Sequence, residues 1–158
     1  MIDIHSHILW GVDDGAGSLR ESLDMLKMAA DSGTTDIVAT PHANSTYPFD
    51  PVILDSRYQE LATRHTGLPR IHRGCDFHLS AGNIQDALEN PSKYTINGGR
   101  YLMVELPETF SPVSMEQALW QLTPKECYPL LHIPSGIRFY NVRPRCFNTG
   151  STAGIWRK

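Results

Sequence analysis

The chain has 158 residues, of which 41% are hydrophobic and 20% charged, and a formal net charge of −3. That is one domain's worth of chain, long enough to bury a real core, and its composition excludes fibrous, disordered and strongly basic classes. No run nears the roughly 18 apolar residues of a membrane span and no basic–apolar leader precedes Asp3, so a cytoplasmic protein with no membrane span is expected.

Met1-Ile2-Asp3-Ile4-His5-Ser6-His7 predicts a first strand. A strand sends residues i and i+2 to one side, so His5 and His7 point together from its end, a common way of gripping a transition metal. A bare His-x-His is at least as often a solvent-facing or core-satisfied pair. The turn Gly11-Val12-Asp13-Asp14-Gly15 then brings two carboxylates, one of which can swing back over the strand end. Ser18-Leu19-Arg20-Glu21 is a capping box opening a helix with Leu19, Leu23, Leu26 and Ala30 on one face, stopped by Gly33.

Thr35 to Thr40 predicts a short buried strand, followed at once by Pro41-His42. Asp50-Pro51 caps a second helix running to about His65. Arg70 to Cys75 leads to Asp76 at the end of a third strand, and a short helix spans Asn83 to Glu89. Arg100 to Val104 is the clearest buried strand and ends in Glu105-Leu106-Pro107; a helix over 114–122 and a strand over Tyr128 to Leu131 follow. Alternating strands and helices predict a parallel α/β sheet or barrel, whose sites form at the carboxyl ends of the strands.

His5, His7, His42, Asp76 and Glu105 all fall at or just past predicted strand ends, so four successive strands deliver nitrogen or oxygen donors to one rim. Imidazole and carboxylate without thiolate suits manganese, iron or zinc. With Asp14 or Asp13 added, the donors exceed the needs of one ion, so a bi- or trinuclear centre is expected, with Asp76 or Glu105 as a bridging carboxylate. Clustered metals serve phosphoryl chemistry, holding phosphate and activating water near neutral pH. His65 and His72 are expected at the surface, and His78, two positions after Asp76, is a weaker candidate to face the site. Cys75, Cys127 and Cys146 are odd in number, lack zinc spacing and lack the Cys-x5-Arg pattern of a cysteine phosphatase.

Five motifs in order, Asp3-Ile4-His5-Ser6-His7, Asp13-Asp14-Gly15, Ala39-Thr40-Pro41-His42, Gly74-Cys75-Asp76 and Val104-Glu105-Leu106-Pro107, resemble the polymerase-and-histidinol-phosphatase (PHP) superfamily. Within it they look most like the bacterial manganese-dependent protein tyrosine phosphatases of capsule and exopolysaccharide regulation. The resemblance implies a distorted PHP-type β/α barrel, incomplete in this chain, with a manganese (or iron or zinc) trinuclear centre. It implies His5, His7, Asp14, His42, Asp76 and Glu105 as metal ligands, Asp76 standing where the family usually has glutamate. The implied partner is a phosphotyrosine protein, such as a polysaccharide-export tyrosine kinase; nucleic acid is not. Histidinol phosphatase and other PHP phosphoesterase activities are the alternatives.

The resemblance covers residues 1–131, read as the N-terminal part of a phosphatase domain. From Ile133 onward there are five basic residues and no acid. Family members continue with His-Pro-Glu-Arg, a metal histidine and a phosphate-binding arginine, and later with an Asp-x-His pair. Here His132-Ile133-Pro134-Ser135-Gly136-Ile137 stands instead, and its codons read one base earlier can spell His-Pro-Glu-Arg-Asn. Residues 132–158 are therefore expected to be an atypical basic tail read out of frame. The alternative for the tail is a genuine, divergent basic segment, and the rival to a metal-dependent phosphohydrolase is a non-catalytic truncated remnant.

Overall fold

A computed structural model describes residues 1–106, 112–122 and 128–132. The tail expected to be out of frame lies, beyond His132, outside the described residues. The elements run β1 (Ile2–Ser6), α1 (Leu19–Asp31), β2 (Asp36–Ala39), β3 (His42–Ala43), α2 (Pro51–Arg64), β4 (Arg70–Arg73), β5 (Asp76–His78), α3 (Ala81–Glu89), β6 (Tyr101–Glu105), α4 (Pro112–Leu122) and β7 (Tyr128–His132). Two short 3-10 turns, Pro91–Lys93 and Ile96–Gly98, lie between α3 and β6. Among the described residues every strand pairing is parallel, in two sheets ordered β1-β2-β4 and β3-β5-β6-β7. The parallel α/β architecture read from the alternation is observed.

The helices start where their caps sit. Ser18 accepts from the Glu21 amide at 3.3 Å, while Glu21 Oε2 reaches back to the Gly17 amide at 2.9 Å, one residue earlier than a standard capping box. Asp50 caps α2 through Val52 and Ile53. Ser80 caps α3 through Asn83, so that helix begins at Ala81, two residues ahead of expectation.

The strand expected from Arg70 to Asp76 is split, and past the strand expected over Thr35 to Thr40 a further short strand follows. Thr40-Pro41 divides β2 from β3, and Gly74-Cys75 divides β4 from β5. Pro41 has no amide hydrogen to continue the ladder. At Gly74 the chains approach so closely that an added Cβ would lie 2.6 Å from Val38 Cγ1. His42 and Asp76 thus open the second segments instead of ending the first ones. The Asp76 amide donates to the Pro41 carbonyl at 2.9 Å, tying the two breaks together.

Register then sorts the side chains. His42 pairs with Asp76, His78 with Glu105, and Glu105 with His132. Paired residues of parallel strands share a face and alternate along the strand. Ala43, Phe77, Val104 and Leu131 accordingly enter the core with Ile84, Leu119 and Leu122 of α3 and α4. A second core packs Ile37 and Ala39 of β2 with Ile8, Leu9, Leu26 and Leu61 beneath α1 and α2. Burial of each larger apolar side chain among these contributes roughly 1.5–3 kcal/mol.

One irregularity decides where the first histidines go. Asp3 pairs with Ile37, but Ser6 pairs with Ala39, so β1 holds one extra residue between them. Without that bulge His5 would pair with Ala39, on the face covered by the helices. With it, His5 and His7 turn to the opposite face, the re-aiming that bulges beside sites commonly supply.

Candidate metal centre

The turn after β1 folds its acids back over the strand end. The Ala16 amide donates to the His7 carbonyl at 3.1 Å, and the Gly11 amide to the Ala16 carbonyl at 2.8 Å. Gly11 takes φ +66°, and at Gly15 a Cβ would stand 2.2 Å from the His7 carbonyl oxygen. Only glycine passes there.

Asp13 and Asp14 have separate tasks. Asp13, whose side chain is 1% exposed, accepts from the Gly15 amide (2.9 Å), the His42 amide (3.1 Å) and His7 Nδ1 (2.8 Å). An ionised carboxylate only accepts, so His7 carries its proton on Nδ1 and presents the Nε2 lone pair. That Nε2 lies 3.2 Å from His5 Nε2. Burial works against the His7 cation, but the hydrogen bond and charge of Asp13, helped by Asp76 and Asp14, raise its pKa. Burial likewise opposes ionisation of Asp13, and its bonds to His7, Gly15 and His42 lower its pKa nonetheless. Asp14 is 60% exposed, with Oδ1 3.4 Å from His42 Nε2 and 3.8 Å from His7 Nδ1.

The second sheet brings the remaining donors. His42 Nδ1 lies 3.1 Å from Asp76 Oδ2 and 3.7 Å from Glu105 Oε2. Burial, and then the charge of Glu105, push the Asp76 carboxyl up to about 7. Tyr47 stacks on the His42 ring at 5.7 Å with an 11° tilt. Asn44 holds that loop by accepting from the amides of Thr46 and Tyr47. Asn83 Nδ2 donates to the carbonyls of Ala43 (2.7 Å) and His78 (2.8 Å), clamping the ends of β3 and β5 to α3.

All six residues expected as ligands converge. His5, His7 and Asp76 form one group, His7, Asp14 and His42 a second, and His42, Asp76 and Glu105 a third, the donor atoms within each lying inside 4.8 Å of one another. Among the described residues neither Asp76 oxygen nor His42 Nδ1 has a hydrogen-bond partner, despite the 3.1 Å separation of Oδ2 and Nδ1. A buried, unpartnered carboxylate is costly. Divalent cations at the points these donors share would satisfy it, so the residues fit a metal cluster.

Tyr47 and Asn83 escaped the sequence reading of the site, the loop path that places Tyr47 having no pattern, and the separate tasks of Asp13 and Asp14 were not told apart because adjacent aspartates look alike. His78, the weaker candidate, does face the site, with Nδ1 3.3 Å from Glu105 Oε2. His65 and His72, expected at the surface, are half-buried and bonded to the Pro69 carbonyl and to Asp36. Cys75 is fully buried and its thiol pKa is pushed well up by that burial, which suits an inert core residue and not a nucleophile.

The chain is 32% identical over 139 residues to the putative tyrosine-protein phosphatase CapC of Staphylococcus aureus, an overlap covering 85% of this chain and 54% of that one. It is 29% identical to the tyrosine-protein phosphatase YwqE of Bacillus subtilis over 174 aligned positions, covering 100% of this chain and 68% of YwqE. Its fold is similar to a chain from the crystal structures of YwqE and of CpsB from Streptococcus pneumoniae, metal-dependent tyrosine phosphatases. The TM-score there is 0.68 at 30% identity, covering 83% of this chain and 54% of the other. The chain thus spans about half the length of CapC and of that solved chain. With its family model matched over residues 1–135, the chain belongs to the CpsB/CapC family of capsular polysaccharide synthesis.

Proposed function

We propose that the chain is part of a metal-dependent protein-tyrosine phosphatase acting in capsule or exopolysaccharide regulation. The observation that carries this reading is the buried Asp76 carboxylate, which has no hydrogen-bond partner among the described residues and lies beside His42. The names of its relatives supply the substrate class.

We assign His5, His7, Asp14, His42, Asp76 and Glu105 as ligands of a bi- or trinuclear centre. Manganese is the expected ion, with iron or zinc as alternatives for the same imidazole–carboxylate set. Bound divalent ions would neutralise phosphate oxygens, make water a nucleophile near neutral pH and stabilise the leaving oxygen. The protein's own part is orientation. Asp13 keeps the His7 proton on Nδ1, Asp76 offers two unpartnered oxygens to neighbouring positions, and Tyr47 walls the side of the site next to His42. The substrate would be a phosphotyrosine protein in the cytoplasm, such as a polysaccharide-export tyrosine kinase.

The same reading makes residues 1–131 the first part of a distorted β/α barrel of the PHP kind and residues 132–158 an out-of-frame tail. Resequencing the locus tests this: an Asp-x-His segment in a downstream alternate frame is expected, and its absence sinks the frameshift.

The function is tested with manganese-loaded protein on a phosphotyrosine peptide, a phosphoserine peptide and histidinol phosphate. Preferential release of phosphate from phosphotyrosine is expected. Preference for histidinol phosphate would move the chain to another PHP activity, and metal binding without turnover would make it a non-catalytic remnant.

A further inference from the structure

We propose that His78 is a positioning residue that fixes Glu105 for metal binding; this rests on the metal-site reading above. His78 Nδ1 stands 3.3 Å from Glu105 Oε2, the same oxygen that lies 3.7 Å from His42 Nδ1. Glu105 as a carboxylate can only accept, so the proton of this bond sits on His78 Nδ1. Among the described residues His78 makes the one hydrogen bond to the Glu105 side chain. A glutamate held by nothing else gives up its rotamer freedom on binding a metal, which weakens the site. His78 removes that cost beforehand.

The scaffold around His78 is built for the task. His78 and Glu105 are paired positions of β5 and β6, so they share the face that carries Asp76. The His78 carbonyl is clamped by Asn83 Nδ2, which also holds Ala43, the residue after His42. The ring is 32% exposed and stands outside the three donor groups, so it orients a ligand and is not itself one. Hydrogen bonds of this kind to ligands typically carry 10–100-fold in metal affinity.

Two variants test the idea. In His78→Asn the side-chain nitrogen takes the position of Nδ1 and can still donate; His78→Leu keeps the bulk and removes the donor. Manganese binding is followed by the electron-spin-resonance signal of the free ion, with circular dichroism of the metal-free proteins as the folding check. His78→Leu is expected to weaken at least one manganese equivalent by about 10–100-fold, while His78→Asn stays within about threefold of wild type. Wild-type affinity in His78→Leu overturns the proposal, as does an equal loss in both variants with folding intact. A wild-type chain that binds no manganese brings down the metal-site reading itself, and this inference with it.

Discussion

His42 Nδ1 and Asp76 Oδ2 lie 3.1 Å apart at paired positions of β3 and β5, yet neither atom has a hydrogen-bond partner among the described residues. The two groups are close enough for charge attraction but are not aligned for a hydrogen bond. The fold holds this carboxylate in place at a cost in stability, because burial and the neighbouring Glu105 charge both disfavour its ionised form.

That cost predicts a trade between stability and metal binding. The folded pKa of Asp76 is raised to about 7 from 3.8. A raised carboxyl pKa means that metal-free stability declines as pH climbs from the unfolded value through the folded one. Above pH 7, Asp76→Asn removes the buried charge at nearly constant shape. Metal-free Asp76→Asn is expected to be more stable than wild type by about 1–3 kcal/mol, and manganese should no longer raise its melting temperature. Denaturant titrations with and without metal check both halves. A less stable metal-free variant would remove the claim.

Asp13 predicts the behaviour of His7. Its two oxygens accept from Gly15, His42 and His7 together. Asp13→Asn leaves one acceptor oxygen for three donors and turns an NH2 toward one of them. The His7 ring then loses either its tautomer or its aim, and manganese affinity should fall by about 10–100-fold with the fold retained. Isothermal titration of the variant measures this; an unchanged affinity would make Asp13 a purely structural acid.

The rim of donors was legible because histidines and acids stand out at the ends of apolar runs such as Tyr101–Glu105. What was not legible is local geometry that no residue pattern announces. A regular strand from Ile2 would have aimed His5 and His7 at the helices, and the bulge between Asp3 and Ser6 reverses that. His42 was expected just after a strand and Asp76 at the end of one; both instead open new strands, beyond Pro41 and Gly74. Asp13 and Asp14 are neighbours with the same chemistry. Which of them is buried under His7 depends on the path of the turn, set by Gly11 and Gly15.

Gly15 is therefore a sensitive position. An added methyl would lie 2.2 Å from the His7 carbonyl oxygen, 2.4 Å from its Cβ and 3.0 Å from its carbonyl carbon. Gly15→Ala is expected to cost about 2–4 kcal/mol and to misplace His7. Gly17→Ala, where the nearest atom is the mobile Glu21 Oε2 at 3.4 Å, should lie within about 0.5 kcal/mol of wild type. Chemical denaturation of the pair separates a local steric effect from a general intolerance of the loop.

Acid should weaken the fold through two carboxylates remote from the metal site. Asp36 accepts two bonds from Arg70 (2.8 and 2.9 Å) and one each from His72 and Thr35, which hold its pKa well below the carboxylate range. Asp86 is lowered to about 2 by Lys93, Tyr94 and Asn90. A depressed folded pKa supplies stability that is complete above the unfolded value, 3.8 for both groups, and is lost as pH falls through the folded value. Asp86→Asn should accordingly be less stable than wild type near neutrality by about 1 kcal/mol or less, since the Lys93 pair is partly exposed. The gap should close as the pH approaches 2. Urea midpoints of both proteins across that range test the sign: a gap that stays constant with pH would show that the Asp86 contacts act through packing and not through charge.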